Sequence, residues 1–195
     1  MTSGLPHGKV PLIIPAAQPT EGPPGRIRLD NNLRRWFSRN LGLWRSRRLH
    51  YFSDGEVLRL DMLLRVETFE EPSEGDAAYR FSWWPEQEFN FFERKLHFAR
   101  EGTIEASLSG HQLRGNCGYL CASPTRSQIR QVDEHELIFE SHDQNWDIIE
   151  QIRLLDQDRY RSRSIYSWQD SVLELAETHH EIRLEGPGEL LREDA

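Results

Sequence analysis

The chain has 195 residues and a net charge of −8, with 24 Lys and Arg residues against 32 Asp and Glu residues. This length suits one domain with a tail, and the acidic balance disfavours nucleic acid as a partner. No apolar run approaches the roughly 20 residues that a membrane span needs, and the N-terminus lacks a signal-peptide pattern. We therefore expect a cytoplasmic protein that binds neither nucleic acid nor membranes.

The positive charge comes almost entirely from arginine, since Lys9 and Lys95 are the only lysines. A coding bias explains such a ratio. A need for planar guanidinium groups explains it equally well, because these groups bind carboxylates through two parallel hydrogen bonds. Both explanations can hold at once.

The first elements are a tail and a helix. Residues 1–29 contain most of the ten prolines and are expected to form a flexible tail. A short helix of about three turns is predicted next, with Asp30 or Asn31 as its cap. Its apolar residues fall on one face: Leu33, Trp36, Phe37 and Leu41.

From Trp44 onward the hydrophobic period changes from helical to that of a β-strand. The turn signal "SDG" makes residues 44–66 a hairpin, whose second strand alternates Leu58, Leu60, Met62, Leu64 and Val66 with charged residues. Further strands are predicted in "AAYRFSWW", "EFNFFERKLHFAR", "TIEASLSG", "HQLRGNCGYLCA", "SQIRQVD", "HELIFES", "WDIIEQIRLL", "RYRSRSIYSW" and "VLELAETHHEIRL". Residues 186–195 are a polar tail.

About ten short strands without βαβ spacing predict a mainly β fold, with an antiparallel up-and-down sheet. A sheet of this size removes its exposed edges by closing into a barrel, which can hold one small ligand. We therefore predict a lipocalin-like β-barrel over residues 30–185, preceded by the short helix. A two-sheet sandwich is the alternative.

Three alternating arginines, Arg159, Arg161 and Arg163, are expected to share one strand face. One interpretation places them on the outer face in ion pairs with acidic neighbours such as Glu150. The other places them at the rim of a cavity beside Arg48, because the first and last strands of an up-and-down barrel meet.

Other signals of chemistry are weak. The sequence has no Gly-rich phosphate loop, no nucleophile elbow and no metal-binding motif. His179 and Glu181 share a strand face, where a hydrogen-bonding role is more plausible than a metal site, so no metal is predicted. Cys117 and Cys121 are interpreted as two structural thiols in a reducing compartment.

The stretch "GLWRSRR", at the end of the helix and the start of the first strand, resembles the S/U-type (CpcS/CpeS-like) phycobiliprotein lyases. Further similarity lies in "FSWW" and between "RYRSRS" and "HHEIRL", and the matching order of elements spans roughly residues 30–185. This chain departs from the family at two places. The family usually has two histidines after the first motif, whereas this chain has only His50. The loop after the tryptophan commonly contains glycine in the family, whereas here it is "PEQE".

The resemblance implies a lipocalin-like barrel that binds a linear tetrapyrrole, such as phycocyanobilin or phycoerythrobilin, as a substrate. It implies that no cofactor is permanently bound. The barrel would attach the bilin through a thioether bond to a cysteine of a phycobiliprotein apo-subunit, and a homo- or heterodimer is possible. Arg48, Arg161 and Glu181 match the family's catalytic residues. Phe81 and Trp83 match residues that contact the chromophore, and the same two arginines also contact it.

Two other functions are compatible with the same residues. The first is a non-catalytic carrier of a fatty acid or another small carboxylate. The second is an assembly module in which the arginine row and the acidic tail form a docking surface.

Overall fold

The computed structural model describes residues 31–69, 77–96, 98–118 and 123–186. The order of elements is α1 (Asn31–Asn40), β1 (Gly42–Phe52), β2 (Val57–Thr68), β3 (Ala77–Pro85), α2 (Phe91–Arg94), β4 (Gly102–Ser109), β5 (Gln112–Gly115), β6 (Thr125–Gln131), β7 (Glu136–Asp143), β8 (Trp146–Leu155), β9 (Tyr160–Gln169) and β10 (Val172–Glu185). The proposed tails, 1–29 and 186–195, lie outside these residues apart from Gly186, as does the possible cap Asp30.

The ten strands form a closed antiparallel barrel in which each strand pairs with its neighbours in sequence and β1 pairs with β10. Alternating burial along β2 has the apolar residues inside, as its sequence pattern predicts. Closure leaves no free edge among these strands. The predicted lipocalin-like barrel is thus confirmed, and the sandwich is excluded.

Helix α1 covers one end of the barrel with the apolar face that its period predicts. Leu33, Trp36 and Phe37 are almost completely buried, and the Phe37 ring stacks on Tyr79 with centroids 4.7 Å apart. The Trp36 indole donates a hydrogen bond to the carbonyl of His135 at 3.0 Å. The helix is therefore fixed to the loop between β6 and β7.

Two arginines fix the C-terminal end of α1. Arg39 binds both carboxylate oxygens of Asp158, at 2.8 and 2.6 Å, in the loop between β8 and β9. The Arg183 guanidinium donates to the backbone carbonyls of Arg39 and Leu41, which the helix leaves unpaired at its C-terminus. Both contacts hold the helix across the barrel opening.

Gly42 allows the chain to pass from α1 into β1. Its φ is +121°, and a Cβ there would lie 2.1 Å from the carbonyl oxygen of Glu185. Only glycine fits this close approach between β1 and β10.

Two predicted strands differ from the structure. The segment "EFNFFERKLHFAR" is a loop containing the short helix α2, because β3 pairs directly with β4 and leaves no partner for a strand between them. Its Phe91 and Phe98 pack on the His50 ring instead. The strand predicted in "HQLRGNCGYLCA" ends at Gly115, so Cys117 lies beyond it, and Cys121 is outside the described residues.

The Arg39–Asp158 contact predicts a pH-dependent contribution to stability. The hydrogen bond from Arg39 lowers the pKa of Asp158 below its usual 3.8, although partial burial opposes this effect. Asp158→Asn should lower the free energy of unfolding by about 1 kcal/mol at pH 7, the size of one partly exposed charged hydrogen bond. The ion pair stabilises the fold above pH 3.8 and its contribution is lost as the pH falls further, so the two proteins should converge in acid.

Urea unfolding at pH 7 and at pH 3 measures this difference. Asp156→Asn is a matched control, because Asp156 lies in the same loop but forms an exposed pair with Arg159 at 3.6 Å. Two results would contradict the role of Asp158. One is an equal loss in the free energy of unfolding in both variants at pH 7, and the other is a loss in Asp158→Asn that is as large at pH 3 as at pH 7.

A second prediction concerns Gly102, which faces the Trp83 indole across the β3–β4 pair. A Cβ on Gly102 would lie 2.5 Å from the indole Cζ2, while the indole nitrogen donates to the carbonyl of Ala99 at 3.2 Å. Gly102→Ala should displace the ring and lower the free energy of unfolding by about 1–3 kcal/mol. Gly186→Ala, which has open space around it, should change that free energy by less than about 0.5 kcal/mol in the same denaturant titration. Full stability of Gly102→Ala would show that Trp83 is not held in this position.

Candidate functional site

A cavity of about 200 Å³ occupies the interior of the barrel. Trp36, Phe37 and Asn40 of α1 contribute to its lining, so the helix closes this space at one end. Cys117 and Gly118 line it near the loop between β5 and β6.

The cavity has two chemically different walls. Strands β2, β3, β4, β5 and β7 supply aliphatic and aromatic side chains, among them Leu64, Phe81, Trp83, Ile104, Leu113 and Phe139. The arginine, glutamate and histidine residues of the lining all come from β1, β8, β9 and β10, which are consecutive in the barrel: Arg48, Glu150, Arg161, Arg163, Glu177 and His179. The charged groups are thus confined to these four strands, although Trp146, Ile148, Ile152 and Ile165 of β8 and β9 add apolar surface among them.

Strand register explains how the charged residues meet. Across β1, β10 and β9, Arg48 pairs with His179 and His179 pairs with Arg163. One step toward the α1 end, Glu181 pairs with Arg161. Because alternate residues of a strand share a face, all of these side chains point into the barrel.

Arg161 is held deep in the interior, at the α1 end. It is 4 % exposed, forms an ion pair with Glu181 and donates to the side-chain oxygen of Asn40 at 3.0 Å. Its guanidinium also lies 4.5 Å from the centre of the Trp44 ring, a cation–π distance. These contacts fix the plane of the guanidinium.

Glu181 is a carboxylate that neutralises two arginines. Burial alone would raise its pKa, but the charges of Arg161 and Arg163 outweigh burial and lower the pKa to about 2. Glu181 therefore remains ionised at neutral pH and holds Arg161 in place.

Arg163 and Arg48 continue the charged wall away from α1. Arg163 lies 2.5 Å from Glu150 and 3.8 Å from Glu181. Burial acts to lower its pKa, but the two carboxylates dominate and raise it. Arg48 is 2 % exposed and its Nε donates to the hydroxyl of Ser46 at 3.2 Å.

Two guanidinium nitrogens of this wall have spare hydrogen-bonding capacity. Arg161 Nη2 and Arg163 Nε are buried, and neither has a hydrogen-bond partner among the described residues. An unsatisfied buried donor costs about 1–3 kcal/mol, so an acceptor placed in the cavity would be favoured at these atoms.

His50, Glu177 and His179 form a separate buried group at the other end of the charged wall. Glu177 Oε2 lies 2.9 Å from Nε2 of each histidine. Burial lowers the pKa of His179 to about 3, so its ring is neutral at physiological pH. Burial opposes ionisation of Glu177, but interactions with His179 and His50 outweigh it and lower the pKa below its usual value. This group offers the ligand types that bind transition metals.

The structure brings together most of the residues that the sequence singled out. Arg48, Arg161, Phe81 and Trp83 line the same cavity, and the arginines lie on its inner wall rather than at a rim or on the outer face. Glu181 is buried directly behind Arg161 and is absent from the lining of this cavity.

The expectation that Arg159 shares this face is wrong. Arg159 precedes β9, where the chain is still in the turn, and its exposed side chain pairs with Asp156.

Sequence reasoning missed His50 and Glu177 as site residues, and it considered Glu150 only in the interpretation that placed the arginine row on the outer face. His50 and Glu177 could be recognised as a pair only from the closure of the barrel, because closure sets β1 beside β10 and His50 opposite Glu177. Glu150 does pair with an arginine of the row, as expected, but inside the barrel.

No protein-family model and no curated protein matches the chain significantly. Solved structures do match. The S-type phycobiliprotein lyase CpeS from Guillardia theta superposes with a TM-score of 0.57 at 15 % identity, over 77 % of this chain and 92 % of that one. A protein of unknown function from the DUF3598 family of Nostoc punctiforme superposes with a TM-score of 0.54 at 14 % identity, over 76 % of this chain. The match spans about half of the Nostoc protein, 49 % of its length.

Within the described part of the chain, neither helix is long and apolar enough to cross a membrane. At these identities the comparisons establish the architecture. The chain therefore has the fold of an S-type phycobiliprotein lyase, in agreement with the resemblance seen in its sequence.

Proposed function

We propose that this protein is a bilin lyase, which binds a linear tetrapyrrole and attaches it to a cysteine of a phycobiliprotein subunit. The observation that carries the proposal is the cavity itself, because the buried arginines of β1 and β9 and the aromatic residues Phe81 and Trp83 of β3 line the same space. The structural similarity to a phycobiliprotein lyase supports it. Phycocyanobilin and phycoerythrobilin are the candidate substrates.

The charged wall suits the acidic groups of such a ligand. A bilin carries two propionates, and carboxylates are bound best by arginine, through paired charge-assisted hydrogen bonds. Arg161 Nη2 and Arg163 Nε are buried donors with spare capacity, and Arg48 lies on the same wall. We assign these three arginines to propionate binding.

The opposite wall suits the conjugated part of the ligand. Flat rings pack favourably on aromatic faces, and the Phe81 and Trp83 side chains are fixed by β3 and by the Trp83–Ala99 hydrogen bond. The cavity volume of about 200 Å³ is below the roughly 300–1,000 Å³ typical of ligand pockets. A tetrapyrrole therefore extends beyond this space, or widens it, when it binds.

The two glutamates have different roles in this proposal. Glu181 is occupied by two arginines, so it acts as a positioning residue for Arg161. Glu177 lines the cavity, and its Oε1 has no hydrogen-bond partner among the described residues. We therefore assign to Glu177 the hydrogen bond to the pyrrole N–H groups and the stabilisation of positive charge on the chromophore.

Attachment then needs little further chemistry from the chain. The acceptor cysteine gives up its thiol proton, and its thiolate adds to the ethylidene carbon. The C–S bond forms as the C=C double bond becomes single, and the adjacent carbon takes up one proton, so the thiol adds across the double bond and no group leaves. The barrel contributes by holding the electrophilic carbon in one orientation and by excluding water. Cys117 has no part in this mechanism.

The proposal predicts different effects for two neighbouring arginines. Arg48→Ala should weaken bilin binding or transfer by about tenfold or more, the equivalent of one charge-assisted hydrogen bond. Arg47→Ala is the matched control, because Arg47 points outward, is 62 % exposed and pairs with Asp61. Binding is measured by the shift in the visible spectrum, and transfer by covalent fluorescence on a denaturing gel after co-expression with an acceptor subunit. Circular dichroism verifies that both variants fold.

An absence of any spectral shift and of any transfer by the wild-type protein would contradict the lyase proposal. Equal loss in both variants would show that the interior arginine has no special role.

A second function is favoured by the small volume of the cavity. A fatty acid or another small carboxylate needs fewer arginines and less space than a bilin, and a non-catalytic carrier would use the same charged wall. Native mass spectrometry of the purified protein distinguishes the two through the mass of the retained ligand. A lipid mass together with no affinity for bilins would favour the carrier.

A further inference from the structure

A buried group of three side chains lies beside the arginines proposed to bind carboxylates, and only its Glu177, through Oε1, has a role in the proposed function. His50 and Glu177 are opposite each other in the β1–β10 pair, and His179 is two residues beyond Glu177 on the same face. All three are at most 1 % exposed. Each contributes one ligand atom, and the three atoms lie within 4.8 Å of one another.

The donor set matches a transition metal. Two imidazoles and one carboxylate leave one position open at a tetrahedral ion, as in catalytic zinc sites, and the same ligand types bind non-haem iron. Sequence spacing hides the set, because His50 and His179 are far apart along the chain.

Several atoms of the group are unsatisfied in the protein alone. Both ring nitrogens of His50, Nδ1 of His179 and Oε1 of Glu177 are buried without a hydrogen-bond partner among the described residues. His50 Nε2 lies 2.9 Å from Glu177 Oε2, yet this contact lacks hydrogen-bond geometry. Buried polar atoms without partners are costly, so a ligand that satisfies them would be favoured at this position.

We propose that His50 Nε2, His179 Nε2 and Glu177 Oε2 bind a divalent first-row transition ion such as Zn²⁺. The two Nε2–Oε2 separations are 2.9 Å, and the one to His179 is a hydrogen bond that Nε2–H donates. Metal binding replaces this hydrogen bond, and the proton of the His179 ring moves from Nε2 to Nδ1. A tetrahedral ion with bonds of about 2.0–2.2 Å needs about 3.3 Å between ligand atoms, so small side-chain movements create the site. The fold needs no rearrangement of strands to accommodate it.

The surroundings determine where the fourth ligand lies. Phe91 and Phe98 cover His50, with ring centroids 5.1 and 5.6 Å from its own. Glu177 and His179 line the cavity, so the open coordination position faces the cavity. A water molecule or an atom of a bound ligand would occupy that position, and the site replaces the expectation that no metal binds.

The charges around the site do not prevent cation binding. The positive charges of Arg48 and Arg163 disfavour a further positive charge at His179. Arg163 is itself paired with Glu150 and Glu181, however, and Glu177 contributes a full negative charge at the site. The carboxylates therefore compensate for much of the arginine charge.

The test uses the full chain, purified without a histidine tag, and Zn²⁺ alone. Isothermal titration calorimetry should show one equivalent of Zn²⁺ bound per chain, together with a rise in melting temperature. Because the loss of even an outer-shell partner weakens metal sites by about 10–100-fold, His179→Gln and Glu177→Gln should lower the affinity at least that much. His180→Gln is the matched control, because His180 is the next residue and is exposed.

A second measurement covers the case in which the two variants do not fold. The wild-type protein loaded with Co²⁺ should show the intense visible absorption of a four- or five-coordinate ion. The weak spectrum of six-coordinate Co²⁺, the absence of stoichiometric binding, or equal affinity in His179→Gln and His180→Gln would overturn the proposal. No bilin is present in these experiments, so their outcome is independent of the proposed lyase function.

Discussion

Burial of three arginines inside a β-barrel is the constraint on which the interior depends. A charged group removed from water is tolerated only if an opposite charge and hydrogen bonds replace its hydration. Arg161 and Arg163 meet this requirement through Glu181 and Glu150, which belong to the neighbouring strands. A barrel that only needed stability could fill these positions with aliphatic residues. These buried charges therefore support the proposed function of the inner wall.

The rest of the structure holds that wall in place. Closure sets β1 beside β10, so Arg48 from the start of the domain meets His179 and Arg163 from its end. Helix α1 covers the barrel end next to Arg161 and supplies Asn40 as one of its partners. The same helix contributes Trp36 and Phe37 to the lining, so the element that completes the core also limits the length of the cavity. Fold and site are thus built from the same contacts.

The sequence predicted much of this arrangement, and the reasons for its failures are physical. Strand periodicity in β2 and the helical spacing of Leu33, Trp36 and Phe37 are local properties, and both were confirmed. The strand predicted over the segment that contains α2 was wrong, because apolar aromatic residues can cover a barrel end as readily as they can form a strand. The roles of Glu177 and Glu150 depend on which strands become neighbours, and strand pairing is not contained in the local pattern. Closure alone brings His50 to Glu177.

We propose that the buried arginines bind the carboxylates of a flat, conjugated ligand. The most direct measurement titrates the purified protein with a bilin that has free propionates and, in parallel, with its dimethyl ester, while the visible spectrum is recorded. Esterification removes both negative charges and leaves the conjugated system unchanged. The account predicts a spectral shift with the free acid and an affinity lower by about tenfold or more for the ester, since at least one charge-assisted hydrogen bond is lost. Equal affinities for the two forms would contradict it.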